Sequence, residues 1–160
     1  MINGLNPRDR LCASQGLHLG LVANEQTEHF DQGDFLIRGV LGADRQSGAV
    51  AVGAIVRPGQ TVQFQVRDAE SAHDDLVALL ARNAGATPPA GALVFTCNGR
   101  GSHLFAEPHH DAGLINECTN GRGVAGMFCA GELGPIGPLN AVHGFTATVL
   151  LFPATVQPRS

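Results

Sequence analysis

Residues 91–101 read GALVFTCNGRG and residues 124–134 read VAGMFCAGELG. Each is an apolar run of strand character that breaks at glycine and polar residues. The first breaks at Cys97, Asn98, Gly99, Arg100 and Gly101, the second at Gly131 and Glu132. A third apolar run, HGFTATVLLF (143–152), opens on His143. Runs such as ALVFTC and TATVLLF are apolar on both faces, so they read as strands buried on both sides. Polar groups at the glycine-broken ends of buried strands are the makings of a small-molecule pocket, because a rigid scaffold then positions functional loops.

Working outward, the segment between the first two runs predicts a helix. It starts near Pro108, a favoured first-turn residue, and ends around Cys118, before Asn120-Gly121. A clearer helix precedes GALVFTC. Asp68 caps it, Ala69, Ala72, Leu76, Leu79 and Leu80 keep helical spacing, and Gly85 stands where a helix-ending glycine belongs. Further upstream, residues 16–23, 34–40, 49–56 and 60–67 read as strands. Pro58-Gly59 suits the centre of a type II turn, and GADRQSG (42–48) is a second turn. In 60–67, Val62, Phe64 and Val66 alternate with Gln63, Gln65 and Arg67, so one face is expected buried, one wet, and the strand near an edge. The stretch around Glu132 reads as a loop stiffened by Pro135 and Pro138. Residues 1–15 read as an irregular N-terminal extension and 154–160 as a flexible tail.

The expected fold class is α+β, with a largely antiparallel sheet and two main helices packed on one face. The other face of the doubly apolar strands must be covered by a second sheet, a partner domain or a second subunit.

Composition narrows the function classes. A chain of 160 residues with 44% hydrophobic and 15% charged residues is sized for one domain with a real core. A net charge of −4 leaves no electrostatic footprint for nucleic acid. All ten basic residues are arginine, which excludes Schiff-base chemistry and a P-loop lysine. Cys12, Cys97, Cys118 and Cys129 show no CxxC spacing, the N-terminus is polar, and no apolar stretch is long enough to span a bilayer. The expectation is a cytoplasmic protein with free thiols, no membrane insertion, no metal and no cofactor.

Each candidate residue has two readings. Arg100 could fork onto a ligand carboxylate or phosphate, with Gly99 and Gly101 admitting the ligand to the backbone, or it could serve a structural salt bridge. Glu132 could meet an ammonium or hydroxyl, or cap its own loop. Asn98, Cys97 and His143 line the expected pocket; Cys97 is alternatively a nucleophile paired with His143, or a small buried hydrophobe. Arg38 interrupts an apolar strand and needs either a ligand anion or an internal carboxylate. His109 and His110 in EPHHD are adjacent and point about 100° apart on a helix, so they do not share one metal ion easily.

Five ordered blocks carry a family resemblance: LIRGVLGAD (36–44); LVFTCNGRG (93–101); the Leu104-Phe105 and His110-Asp111 that follow, taken together; VAGMFCAGELGPIG (124–137); and VHGFTATVLLF (142–152). In spacing and order the chain resembles the C-terminal half of the FIST family of sensory proteins over residues 16–153. The resemblance implies an intracellular, non-enzymatic sensory domain for a small ligand such as an amino acid. Arg100 would then take a carboxylate and Glu132 an ammonium. It also implies a partner, either the N-terminal FIST half that usually precedes this one or another signalling domain. A homo-oligomer is a further option.

Overall fold

The computed structural model describes residues 4–83, 85 and 87–154. The expected tail falls outside them except for residue 154. The order of elements is α1 (Pro7–Gln15), β1 (His18–Val22), β2 (Phe35–Ala43), β3 (Val50–Val52), β4 (Val62–Gln65), α2 (Ala69–Asn83), β5 (Gly91–Cys97), α3 (His110–Cys118), β6 (Val124–Cys129), β7 (Glu132–Ile136), β8 (Leu139–His143) and β9 (Ala147–Phe152). The α+β class is as expected. The chain divides into two compact units. One holds residues 1–68 and 133–143, the other 69–132 and 144–160.

The first unit is built on a four-stranded antiparallel sheet in the order β3-β2-β1-β4. β1 is central and buried throughout, and β4 is at the edge as its alternation predicted. Its apolar residues Val62 and Phe64 are nevertheless exposed, against expectation. The turn before β4 behaves as read: Gly59 has φ 85 and the Gln60 N–H donates to the Arg57 carbonyl at 3.1 Å. The strand expected over 49–56 shrinks to the three residues of β3.

Two segments depart from the reading. Residues 7–15 are helical, not irregular. Asn6 caps them by accepting from the Asp9 N–H at 2.9 Å, and Pro7 occupies the first turn. The helix buries none of its residues, so the amphipathic periodicity by which helices are recognised is missing. The stretch expected as a stiffened loop around Glu132 forms the β7–β8 hairpin. Its two-residue connection, Gly137-Pro138, puts a glycine at φ 52 in the first central position, as tight hairpin turns favour.

The second unit centres on the three-stranded sheet β6-β5-β9. β5 pairs antiparallel with β9 but parallel with β6, and α3 lies in the crossover between the two parallel strands. Along β5, Ala92 faces Val124 and Leu151, and Val94 faces Gly126 and Val149. Leu76 and Leu80 of α2 and Ile115 of α3 pack on this face, making the core with Ala92 and Val94. Both main helices thus cover one face of the sheet, as expected. α2 spans nearly the predicted residues, and Gly85 adopts the left-handed φ of 63 that suits a helix end. α3 starts two residues later than Pro108, after His109 at φ 60.

By strand alternation the opposite face carries Leu93, Phe95, Met127, Leu150 and Phe152. Met127 is 63% exposed, Leu150 52% and Phe152 44%. No residue on this face carries a formal charge.

Candidate functional site

The carboxyl ends of the parallel strands β5 and β6 lie side by side, since Cys97 is in register with Cys129. Ligands of sheets with parallel strands bind outside such ends. Cys97 through Gly101 leave one strand here, and Cys129 through Glu132 leave the other. The Asn98 N–H donates to the Cys129 carbonyl at 2.7 Å, locking the two exits together. The Cys97 N–H donates to the Thr146 carbonyl at 3.0 Å, which brings in the entrance to β9. Cys97, Asn98, Gly99, Gly101, Gly131 and Glu132 therefore assemble at one edge of the second unit.

Glu132 is the least expected of these in its environment. It is 1% exposed. Its Oε2 accepts from the Thr146 hydroxyl at 2.9 Å and, at 3.4 Å, from the Thr146 N–H. Its Oε1 is buried and has no hydrogen-bond partner among the described residues. A buried carboxylate oxygen left unpaired carries a desolvation cost of about 1–3 kcal/mol, more if charged. Beside Thr146, Phe145 is held at φ 66, a conformation that is an outlier for a bulky residue and costs about 1–3 kcal/mol. Glu132 caps backbone only through Thr146, so the loop-cap reading accounts for one of its two oxygens.

Arg100 takes the structural alternative. It is 5% exposed, and its Nε and one terminal nitrogen donate to both oxygens of Asp111, each at 2.8 Å. The same terminal nitrogen reaches the Ala72 carbonyl at 3.4 Å, and the guanidinium carbon lies 5.2 Å from the Phe105 ring centroid. The fork expected for a ligand is thus spent on an internal carboxylate. Burial pushes the Asp111 carboxyl upward, but hydrogen bonds and charge from Arg100 and His110 outweigh it and hold it below its ordinary range. His110 donates from Nδ1 to Asp111 at 2.9 Å, and its Nε2 meets Nδ1 of His73 at 2.9 Å. Phe105 stacks on the His110 ring with centroids 3.5 Å apart. From sequence, Asp111 figures only as a possible third member of a Cys97–His143 pair, His110 only as an unsuitable metal ligand and Phe105 only in the family resemblance; His73 carries no site reading at all. The available signal was the His110-Asp111 pair, which opens α3 and belongs to the blocks that carry the family resemblance.

The remaining candidates are placed as follows. Cys97 is buried, and its sulfur accepts from the Gly99 N–H at 3.5 Å. Gly101 has φ 56, a conformation that favours glycine, and a Cβ there would sit 3.0 Å from the Phe128 ring, which would have to shift to admit it. Asn98 is exposed, Gly99 and Gly131 partly so. Arg38 and His143 belong to the first unit. Arg38 donates to the carbonyls of Ile37 at 2.9 Å and Val142 at 3.1 Å, and has no carboxylate partner among the described residues. His143 donates from Nε2 to the Gly134 carbonyl at 3.0 Å, which makes Nδ1 the acceptor in the neutral ring. All four cysteines are free thiols. Among the described residues no three metal-ligating side chains converge, and no helix is long and apolar enough to cross a membrane. A shallow concavity on the β2–β3 hairpin is lined by Gly42, Ala43, Asp44, Ala49, Val50 and Ala51, none of them a candidate residue.

Comparison with known proteins follows the motifs. The chain is 48% identical over 154 residues to an uncharacterized protein of Mycobacterium bovis, and 47% identical over the same length to one of Mycobacterium tuberculosis. Each match covers 95% of this chain and 40% of the relative. The chain therefore spans about two fifths of the length of these curated relatives. No solved structure matches. The model of the FIST C domain matches residues 4–135, starting just before α1 and ending within β7. The chain thus belongs to the FIST C domain family, a family associated with sensory signal transduction.

Proposed function

We propose that this chain is a non-enzymatic, cytoplasmic ligand-sensing domain whose small ligand bears an ammonium or hydroxyl donor, the class that includes amino acids. The observation that carries the reading is the buried, unpartnered Oε1 of Glu132 at the carboxyl ends of two parallel strands. A donor group arriving there removes the cost of an orphaned acceptor, so the site prefers such a ligand over water-excluding apolar ones. The strained Phe145 next to Thr146 supports it, because backbone strain concentrates at binding sites. Arg100 contributes by fixing the strand exit through Asp111, rather than by holding the ligand's anion. Arg38, in the other unit, has no carboxylate partner among the described residues and stands as a separate candidate for an anion.

The test is a thermal-shift screen with amino acids, small amines and small carboxylates, repeated with the N-terminal FIST half present. Ligand at a hundredfold excess over Kd stabilises by about 2.7 kcal/mol. Stabilisation by an amine-bearing compound that disappears in Glu132→Gln supports the reading. A broad panel without a hit in either format sinks it.

A second reading, compatible with the first, is a docking module. The uncharged face of Leu93, Phe95, Met127, Leu150 and Phe152 favours it. The occupant we assign is the N-terminal FIST half, since about three fifths of each mycobacterial relative lies beyond the matched segment. Titrating the complementary portion of the Mycobacterium tuberculosis relative into this chain should give binding with a negative heat-capacity change. Self-association of the chain alone would assign the face to a second copy instead. A monomer that takes up nothing counts against docking.

A further inference from the structure

Two histidine rings join the helices of the second unit: His73 on α2 and His110 on α3, with Nδ1 of the first 2.9 Å from Nε2 of the second. Their tautomers follow from their partners. The Asp111 carboxylate only accepts, so His110 carries a proton on Nδ1. In the neutral ring its Nε2 is then an acceptor, and His73 must donate from Nδ1. The outer nitrogen of His73, Nε2, is left with a lone pair. The result is a directed chain from His73 through His110 to Asp111, closed by Arg100. Phe105 stacked on His110 and the edge-on approach of the two imidazoles, 5.1 Å between centroids, hold the rings in place.

This chain can take up one proton without breaking. It goes to Nε2 of His73, and the imidazolium still donates from Nδ1 to His110. A second proton has only Nε2 of His110 to occupy. That removes the acceptor and sets two cations against each other. We propose that His73 and His110 form a one-proton clamp between α2 and α3: the helices stay tied with zero or one added proton and are released when both rings are charged.

The charged and titratable surroundings are accounted for element by element. Asp111 and Arg100 are in direct contact with the chain and offset one another. α2 carries Glu70, Asp74 and Asp75 near His73, and Glu107 and His109 precede α3, with Glu117 at its far end. His103 follows Arg100. Against the helices, β5 and β6 add only the thiols Cys97 and Cys129, α3 adds Cys118, and β9 adds none.

The sign of the effect is fixed by proton counting. In the unfolded chain both imidazoles protonate freely in acid, whereas the intact clamp accepts one proton. The unfolded state therefore binds more protons, and stability falls as pH drops through the histidine range. One excess proton raises the unfolding equilibrium constant by up to about tenfold per pH unit.

The experiment is urea denaturation of the full chain from pH 7.5 to pH 5, comparing the wild type with His73→Gln. The amide that this substitution introduces can present either its nitrogen or its oxygen to His110, so it tolerates both charge states. The other histidines are common to both proteins, so the comparison isolates the pair. The expected result is a wild-type acid slope steeper than the variant's by up to about tenfold in equilibrium constant per pH unit. Parallel slopes overturn the clamp. Nitrogen-15 NMR of the wild-type imidazoles gives a check that needs no variant. The folded protein should never show both rings doubly protonated, and two independent, complete titrations within an intact fold would also overturn the proposal.

Discussion

The guanidinium of Arg100 and the carboxylate of Glu132 stand near the ends of adjacent strands, yet the fold treats them oppositely. Arg100 is saturated by Asp111 in a buried bidentate pair, while Glu132 keeps one oxygen without a partner. Removing the charge of Asp111 strands a buried cation, so Asp111→Asn is expected to cost about 3–5 kcal/mol in urea denaturation at neutral pH. Because the folded carboxyl titrates below its ordinary range, its contribution is complete above the unfolded value and is lost as pH falls through the folded one. The wild type should therefore keep its advantage over Asp111→Asn down to about pH 4, the ordinary carboxylate value, and lose it progressively below that. That Arg100 and Glu132 are special was legible from their glycine neighbours. Which of them is satisfied internally was not, because Asp111 lies eleven residues further on and only the packing of α3 brings it back.

At the scale of elements, the parallel pairing of β5 with β6 is the joint on which the candidate site hangs. It depends on Gly126, where an added Cβ would collide with the carbonyl oxygen of Val94 on the neighbouring strand. Gly126→Ala is expected to destabilise by at least the 1–3 kcal/mol typical of overpacking, read as a lowered denaturation midpoint, and to displace Cys129 and Glu132 with it. β5, β6, β9 and α2 were legible because their patterns are long and their interiors apolar. α1 and the β7–β8 hairpin were not. The first buries none of its residues and so has only its Asn6-Pro7 cap to announce it. The second carries Pro135 within a strand and prolines suggest loops, but the pairing of its five-residue strands tolerates it.

For the whole molecule, the bare face of the β6-β5-β9 sheet sets the main question. Met127→Glu places a charge on that face at a position already 63% exposed, so it should change the stability of the chain alone by less than about 0.5 kcal/mol. The same substitution should abolish uptake of the N-terminal FIST half, as read by calorimetry. The sequence by itself determined that these strands are apolar on both sides, that two helices serve one side, and that polar residues gather at glycine-broken ends. Those are properties of local periodicity and composition, which act over a few residues. Only the tertiary structure decided that β5 and β6 run parallel, that Arg100 is consumed by Asp111, that Glu132 is left short of a donor, and that His73 reaches His110. These are pairings between distant parts of the chain, and the energy that selects them exists only once burial has removed the water that would otherwise satisfy each group.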